Sequence, residues 1–473
     1  MISKDEISTF GLVTGPVLFA LVLSIPVVGL SFEARFVLSS AAWMGAWWTT
    51  EAIPIYGTAL LPLILFPTFN IASLAQLSAS YADRIVFLLL GGLVIGSAIQ
   101  ESGLHERFAF NVIRAFGVRP RSILGGFMMT TGMLSAWISN TATTIMMVPI
   151  ASSVVAQVRD KNERARFGSC LMLCVSYAAS LGGLATLIGT TPNAIFASLS
   201  KSLVDVNVSF SQWMLVGVPA SAVSLAVAWW YMVNFGAKIG DEPITGEKGV
   251  ILERLRQLGA MTRQEKFVTV VFVATVVSLI SRGLVWGRFA PMIDDSTIAI
   301  LGALALFVIP FRKGQRLLNW ESATRIPWGV LLLIGGGLAL ASGFTLTGLD
   351  KWIAQRLMLM ETGDLLSMVL MVVTFTVFFG EFISNTAGAA LMIPIGASIA
   401  ASLGLNPIAL MLPIALGTSY NFMLPAGTPP NSIVFGSGYV TARQMAKAGL
   451  PLNILGIGIV TIITLTLVRI IWA

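Results

Sequence analysis

Histidine and cysteine are nearly absent from this chain. It has one histidine, His105, and two cysteines, Cys170 and Cys174. Zinc sites and histidine-based catalytic triads are therefore excluded by inventory. The cysteines lie one helical turn apart in an apolar segment with no third ligand, so we interpret them as packing residues. The chain also has no H-E-x-x-H motif and no correctly spaced nucleophile elbow, so the sequence argues against an enzyme.

Charge is scarce as well. Asp, Glu, Lys and Arg make up 11% of the 473 residues, hydrophobic residues make up 56%, and the mean hydropathy is +0.86. A chain of this length and composition is predicted to be an all-α polytopic membrane protein. We interpret the net charge of +7 as basic cytoplasmic loops and expect no nucleic-acid partner. No cleavable signal peptide is evident, and the apolar run Phe10–Leu30 is long enough to stay as a span.

What the chain does contain is an internal duplication. The segment Trp137–Ile150 (WISNTATTIMMVPI) recurs as Phe382–Ile395 (FISNTAGAALMIPI), with eight of fourteen positions identical at an offset of 245. Downstream, GTTPNAI beginning at Gly189 recurs as GTPPNSI beginning at Gly427, at an offset of 238. We interpret the chain as two copies of one unit.

Each copy contains two interrupted apolar segments. Residues 124–155 carry the first Ser-Asn-Thr and have basic residues at both ends, so both ends are predicted to be cytoplasmic and the segment to be a re-entrant hairpin. Residues 167–200 are predicted to form a helix broken at Gly-Thr-x-Pro. The equivalent hairpin and broken helix are 365–398 and 405–437. Because the short helix before the second hairpin lacks the arginine excess of its counterpart, we expect the second unit to be inverted.

The whole chain is then predicted to form about 11 transmembrane helices and two hairpins in the inner (plasma) membrane, with a cytoplasmic N-terminus. Its predicted divisions are an N-terminal helix (1–34), a first inverted repeat (35–236), a cytoplasmic linker (237–266) and a second inverted repeat (267–473).

Interrupted helices in inverted repeats are typical of secondary transporters. Freed helix N-termini favour anions, and loose carbonyls with Asn and Thr side chains suit a hard cation such as Na⁺. Two facing units fit a ligand with an anionic group at either end. No Lys or Arg lies within seven residues of these motifs, so bound cations must offset the buried charge. A single copy would more often be a helix-packing or capping cluster, but four symmetric interruptions favour a binding site.

These motifs, with the T-E-A-I-P sequence around Glu51, resemble those of the divalent anion:sodium symporter family, the INDY-type dicarboxylate carriers. The likeness covers almost the whole chain. It implies a homodimer in membrane lipid, each protomer having a scaffold domain and a transport domain that moves like an elevator.

The resemblance also implies roles for individual residues. Substrate carboxylates would be bound by Ser139, Asn140, Thr141, Thr190, Ser384, Asn385, Thr386 and Thr428. The coupling ion Na⁺ would be bound by Ser135, Ser139, Asn140 and Gly189 in one site and by Gly380, Ser384, Asn385 and Gly427 in the other. The chain departs from the family pattern at two positions, since Gly380 replaces a hydroxyl residue and Thr191 replaces a proline.

Sodium-coupled import of a C4 dicarboxylate such as succinate, malate or fumarate is the function that follows. The alternatives are sodium-independent dicarboxylate exchange, or transport of citrate, sulfate or another divalent anion. An ion or proton antiporter would need a symmetric titratable residue at the crossing, and the motifs carry none. Two carboxylates in apolar surroundings, Glu51 and Glu381, are interpreted either as structurally paired groups or as groups with a part in coupling or gating.

Overall fold

The computed structural model of the protein describes residues 4–117, 119–236, 253, 255–312, 314–358 and 364–472. Within these residues the chain is almost entirely helical, with one two-stranded antiparallel ribbon, β1 (Pro310–Arg312) and β2 (Gln315–Arg316). Most of the predicted linker 237–266 lies outside the described residues, and so does the end of the short helix predicted at 350–361.

The helices follow the order of the predicted spans. Those of the first half are α1 (Lys4–Ser24), α2 (Phe32–Thr50), α3 (Ile55–Thr58), α4 (Leu61–Thr68), α5 (Leu74–Tyr81), α6 (Arg84–Glu101), α7 (Leu104–Phe116), α8 (Pro120–Ser135), α9 (Asn140–Val155), α10 (Lys161–Gly183), α11 (Thr191–Val204) and α12 (Phe210–Tyr231), the last continued by a π-helical turn, Met232–Gly236. Those of the second half are α13 (Arg263–Ser281) with its own π-helical turn, Arg282–Trp286, then α14 (Asp295–Val308), α15 (Trp320–Ala323), α16 (Trp328–Thr347), α17 (Leu349–Met358), α18 (Leu365–Gly380), α19 (Asn385–Ser402), α20 (Ile408–Gly417), α21 (Pro429–Gly436) and α22 (Ala442–Ile471).

Seven helical stretches among the described residues are long and apolar enough to cross a membrane, and several shorter apolar helices accompany them. The seven are Leu74–Glu101, Lys161–Gly183, Phe210–Gly236, Arg263–Trp286, Trp328–Thr347, Asn385–Ser402 and Ala442–Ile471. The predicted class, an all-α polytopic membrane protein, is confirmed. The inverted orientation of the second half, the re-entrant paths of the two hairpins and the divisions at residues 34, 236 and 266 stay predictions.

Both Ser-Asn-Thr motifs begin a helix, because their serines are N-caps. Ser139 and Ser384 have nearly the same extended backbone (φ −54°, ψ 144° and φ −61°, ψ 143°). Their hydroxyls accept hydrogen bonds from the backbone N–H groups of Ala142 and Ala387 at 3.4 and 3.3 Å. Serine is among the best N-cap residues. In each motif the serine therefore ends the short turn that follows one helix, and the asparagine is the first residue of the next helix.

The broken helices also start again at a recognisable signal. Thr190 and Thr428 have extended backbone, and a proline stands in the first turn of the helix that follows each of them. Proline suits that position because its missing N–H would have no intrahelical partner there. The first broken segment begins at Lys161, six residues before the predicted start, because the side chain of Asp160 caps the helix inside the charged loop.

The two halves pack crosswise around these interruptions. Helix α9, which begins at the first Ser-Asn-Thr, contacts α21, which follows the break of the second half. Helix α19, which begins at the second Ser-Asn-Thr, contacts α11, which follows the break of the first half. The fold therefore ties each Ser-Asn-Thr helix to the broken helix of the opposite half.

Candidate functional site

The two Ser-Asn-Thr turns are accessible, whereas the polar groups behind them are buried. All six of their residues are half-buried, namely Ser139, Asn140, Thr141, Ser384, Asn385 and Thr386. Ser135, Asn193, Asn421 and Asn431, which lie behind them, are 0% exposed. Each turn thus presents hydroxyl, amide and helix N-terminal N–H groups on a rigid, dry support, as an anion site requires.

In the first half, the residues predicted to bind Na⁺ come together around Gly183. The hydroxyl of Ser135 lies 2.7 Å from Oδ1 of Asn140 and 2.7 Å from the carbonyl oxygen of Ala179, and its single proton can be donated to one of them at a time. A Cβ atom on Gly183 would lie 2.5 Å from Oδ1 of Asn140, and one on Gly189 would lie 2.4 Å from the carbonyl oxygen of Gly183. Only glycines allow so close an approach.

A buried amide holds the first break in shape. Asn193 donates through Nδ2 to the carbonyl oxygens of Gly183 at 2.9 Å and Thr186 at 2.8 Å. The hydroxyl of Thr186 donates to the carbonyl oxygen of Ala136 at 2.5 Å and accepts from the N–H of Gly189 at 3.1 Å. Because helix ends leave backbone groups without partners, these two side chains are what make a buried break tolerable. Asn193 belongs to a motif found in the sequence, whereas nothing in the sequence marked Thr186.

A buried asparagine amide holds the break of the second half in the same way, at the equivalent position. Asn431 donates through Nδ2 to the carbonyl oxygens of Asn421 at 2.8 Å and Leu424 at 2.9 Å. These acceptors stand ten and seven residues before the donor, as Gly183 and Thr186 stand before Asn193. The two breaks therefore have the same internal geometry, in agreement with the duplication seen in the sequence.

Asn421 was not predicted to belong to the site, yet it touches two of the residues that were. Its Nδ2 donates to the carbonyl oxygen of Gly380 at 2.7 Å and to Oδ1 of Asn385 at 3.0 Å. Gly427 lies against the same group, because a Cβ atom there would be 3.4 Å from Cβ of Asn421. The structure thus brings Gly380, Asn385 and Gly427 together around Asn421.

The two threonines that precede the prolines differ in their surroundings. Thr428 is 2% exposed, and its hydroxyl accepts from the N–H of Asn431 at 3.4 Å. Thr190 is half-buried and makes no such capping hydrogen bond. Of the two, Thr190 has the side chain more accessible to a bound anion.

Glu381 and Glu51, the two carboxylates for which the sequence left two interpretations open, have different environments. Glu381 is 2% exposed and accepts three hydrogen bonds, from the backbone N–H groups of Met423 and Leu424, both at 2.9 Å, and from Nδ2 of Asn453 at 2.8 Å. Met423 and Leu424 lie in the second break and Asn453 lies in α22, so this carboxylate joins the turn between α18 and α19 to both. Glu51 is exposed and ends α2 with a left-handed backbone, φ 47°.

A cavity of about 500 Å³ borders the first turn. Its lining includes Ser139, Gln100, Glu101 and Arg325, and Arg325 lies 3.8 Å from Glu321. A cavity of this size can hold a small organic anion. It gives the first Ser-Asn-Thr an approach route lined by polar groups.

The donor set suits an alkali cation. Among the described residues, no three or more His, Cys, Asp or Glu side chains come together as a metal-binding group. The convergent groups are instead hydroxyl, amide and carbonyl oxygens, which are ligands that hard cations accept and that zinc sites seldom use alone.

Comparison of sequences shows full-length relatives. Residues 8–472 match the family described as the sodium:sulfate symporter transmembrane region. The chain is 38% identical over 472 residues to the sodium-dependent dicarboxylate transporter SdcS of Staphylococcus saprophyticus, with 97% of this chain and 91% of that protein covered. It is 36% identical over 466 residues to SdcS of Staphylococcus aureus, with 96% and 90% covered.

Comparison of structures shows more distant neighbours. The YdaH transporter of Alcanivorax borkumensis superimposes with a TM-score of 0.54 at 14% identity, covering 84% of this chain and 88% of that chain. MtrF of Neisseria gonorrhoeae, described as one of a class of antimetabolite efflux pumps, superimposes with a TM-score of 0.58 at 14% identity, covering 97% and 94%. At these identities the likeness concerns the fold alone.

Proposed function

We propose, from the premise that the chain belongs to the sodium:sulfate symporter family, that it is a secondary transporter importing small dicarboxylates together with Na⁺. Family membership itself makes the protein a membrane transporter and not an enzyme. The relatives that match over nearly their whole length are named as sodium-dependent dicarboxylate transporters, and those names support both the substrate class and the coupling ion.

The observation that carries the proposal is the matched pair of Ser-Asn-Thr turns. Each is a half-buried helix N-terminus whose asparagine oxygen lies against a buried polar side chain of its own half, the hydroxyl of Ser135 beside Asn140 and the amide of Asn421 beside Asn385. Each half can therefore hold one Na⁺ behind the turn and one carboxylate in front of it. The Na⁺ sites would comprise Ser135, Ser139, Asn140 and Gly189 in the first half and Gly380, Ser384, Asn385 and Gly427 in the second. The carboxylates would contact the Ser-Asn-Thr turns with Thr190 and Thr428.

A C4 dicarboxylate suits this arrangement better than sulfate does. Two turns from two halves offer two separate anion sites, and a diacid has one carboxylate for each. Sulfate carries both charges at one centre and needs one turn only. Beside Arg325, which lines the cavity at the first turn, the bound Na⁺ ions supply the positive charge, because burying an uncompensated dianion is costly.

Alternating access is proposed to occur by an elevator movement within a homodimer of the plasma membrane, with the N-terminus in the cytoplasm. The crosswise packing of α9 with α21 and of α19 with α11 supports it, because the four interrupted segments then form one body that can move against the remaining helices. The arginines of α7 and the loop after it support a cytoplasmic face there.

Uptake into proteoliposomes tests the proposal. Radiolabelled succinate is supplied to vesicles without internal substrate, with an inward Na⁺ gradient or with K⁺ in place of Na⁺. We expect accumulation only with Na⁺, and a fall of more than about tenfold in the variants Asn140→Ala and Asn385→Ala, each of which removes an oxygen from a cation site. Asn406→Ala is the matched control, because Asn406 is exposed and its amide contacts only the carbonyl oxygen of Trp472 and the N–H of Ile408 among the described residues, neither of which belongs to the site.

The alternatives give different results in the same assay. An obligatory exchanger takes up label only into vesicles preloaded with dicarboxylate, whether or not Na⁺ is present. A sulfate carrier takes up labelled sulfate in preference to succinate. Full uptake by both asparagine variants would reject the assigned site.

A further inference from the structure

The two halves of the chain carry a polar side chain at different positions of the same arrangement. In the first half, Ser135 supplies a hydroxyl next to Oδ1 of Asn140, and the broken helix presents a glycine, Gly183. In the second half, the hairpin position equivalent to Ser135 is Gly380, at an offset of 245, and the broken-helix position equivalent to Gly183 is Asn421, at an offset of 238. The polar group that the second hairpin lacks is therefore present on the second broken helix.

The contacts show that Asn421 occupies the space that a side chain at position 380 would need. A Cβ atom on Gly380 would lie 2.6 Å from Oδ1 and 2.8 Å from Nδ2 of Asn421. A hydroxyl residue at 380 would therefore displace the amide of Asn421 from this position. Gly380 removes a hydroxyl group from the second Na⁺ site, but it leaves room there for the amide of Asn421.

Asn421 also has an unused oxygen. The residue is 0% exposed, and its Oδ1 is buried with no hydrogen-bond partner among the described residues. An unsatisfied buried acceptor is costly, so such groups usually have a further partner. Its Nδ2, meanwhile, lies between two oxygens, the carbonyl of Gly380 and Oδ1 of Asn385.

Nδ2 of Asn421 lies between two oxygen atoms, in a position that a cation could also occupy. Turning the amide of Asn421 by half a turn about its last bond exchanges Nδ2 for Oδ1 and points a third oxygen towards the same two. Three oxygens facing one another repel unless a positive charge lies between them. The amide N–H₂ group and Na⁺ are thus alternative partners for one set of oxygens.

We infer that Oδ1 of Asn421 is a ligand of the second Na⁺ site, in the place that the hydroxyl of Ser135 takes in the first. This inference rests on the proposed function. Binding of Na⁺ releases Oδ1 of Asn385 from its hydrogen bond with Asn421 and joins both asparagines to the ion. Sodium binding is thereby linked to the side chain that forms the second substrate turn.

Two substitutions distinguish a role of Asn421 as a Na⁺ ligand from a role as a hydrogen-bond donor. Asn421→Ala removes both functions, whereas Asn421→Asp keeps the oxygen and replaces the N–H₂ group with a second oxygen. For the purified full-length protein in detergent, we measure binding of ²²Na⁺ and the rise of the thermal denaturation midpoint with NaCl, using choline chloride at equal ionic strength as the reference. Asn406→Ala serves as the control.

We expect Asn421→Ala to weaken Na⁺ binding at one of the two sites by about tenfold or more, as the loss of a ligand to a charged group does. Asn421→Asp should bind Na⁺ at least as tightly as the wild type at neutral pH and lose that affinity at low pH, when the new carboxylate is protonated. If Asn421 acts only by donating to Asn385, the aspartate variant will be as defective as the alanine variant at neutral pH and will improve only at low pH, when its protonated carboxyl can donate; that result overturns the inference.

The exchanged pair offers a second test. Asn421→Gly combined with Gly380→Ser rebuilds the arrangement of the first half within the second. This double variant should recover Na⁺ binding to within about threefold of wild type, and Gly380→Ser alone should not, because its side chain meets Asn421. If the wild type itself shows no Na⁺ binding, the proposed function fails; if the wild type binds Na⁺ and Asn421→Ala binds it equally well, only this inference fails.

Discussion

The hydroxyl of Ser176 donates to Oδ1 of Asn431 at 2.6 Å and so joins the first half of the chain to the second. Asn193, the counterpart of Asn431, has an Oδ1 that is buried without a hydrogen-bond partner among the described residues. The position equivalent to Ser176 in the second half is Ile414, which has no hydroxyl to donate. The two breaks therefore have the same internal hydrogen bonds, but among the described residues only the asparagine oxygen of the second break has a hydrogen-bond partner.

This inequality predicts unequal costs for two alanine substitutions. Asn431→Ala removes two bonds donated to carbonyls and leaves the hydroxyl of Ser176 without its acceptor. Asn193→Ala removes two donated bonds but also removes an oxygen that had no partner. With about 1–3 kcal/mol for each buried group left unsatisfied, Asn431→Ala should lower the thermal denaturation midpoint in detergent more than Asn193→Ala. Equal losses, or a larger loss for Asn193→Ala, would contradict the hydrogen-bond assignment.

Ser176→Ala should lower stability by about 1–3 kcal/mol, because Oδ1 of Asn431 is then left in the same condition as that of Asn193. Combining Ser176→Ala with Asn431→Ala should cost little more than Asn431→Ala alone, because the two residues share one bond. The denaturation midpoints of the three variants, recorded at one heating rate, form the double-mutant cycle. Strictly additive losses would show that the contact contributes nothing.

The sequence was sufficient for the parts of the site that depend on local chemistry. Ser139 and Ser384 are N-caps, and Thr190 and Thr428 precede helix-starting prolines, so each of these positions follows from its immediate neighbours. Asn421 could not be found in this way, because it lies in neither repeated motif and its importance depends on a glycine 41 residues earlier. The sequence did single out Glu381, but it could not decide its role, because its partner Asn453 is 72 residues away.

Glu381 gives the third prediction. Its carboxylate accepts from Met423, Leu424 and Asn453, and in Glu381→Gln one of the two oxygens becomes an N–H₂ group that faces donors. At least one of these charge-assisted bonds is lost, which costs about 1.5–3 kcal/mol. We therefore expect Glu381→Gln to lower the denaturation midpoint and to reduce succinate uptake in proportion to the loss of folded protein.

A coupling role for Glu381 would give another pattern. In that case Glu381→Gln would keep its thermal stability and change the Na⁺ dependence or the pH dependence of uptake per folded molecule. Glu163→Gln is a suitable control for the loss of a charge, since Glu163 is exposed in the first turn of α10. Comparing uptake with the amount of folded protein, measured by size-exclusion chromatography, separates the two roles.

The glycines at the first break give the fourth prediction, because they differ in what they face. In Gly183→Ala the new methyl group would lie 2.5 Å from Oδ1 of Asn140, a side chain that can turn away. In Gly189→Ala it would lie 2.4 Å from the carbonyl oxygen of Gly183, which is backbone and fixed by Asn193. The first change should thus disturb binding, and the second should disturb folding.

We expect Gly183→Ala to keep a denaturation midpoint close to that of wild type while its Na⁺ affinity falls about tenfold, since Asn140 is displaced from Ser135. Gly189→Ala should lower the midpoint itself, because relieving the overlap requires the break to shift. Gly458→Ala is the matched control, with no atom within 4 Å of the added methyl group. Both properties are measured on the same purified samples. Normal Na⁺ affinity in Gly183→Ala would mean that Asn140 binds no cation from its position beside Gly183, and the first Na⁺ site would have to be sought elsewhere.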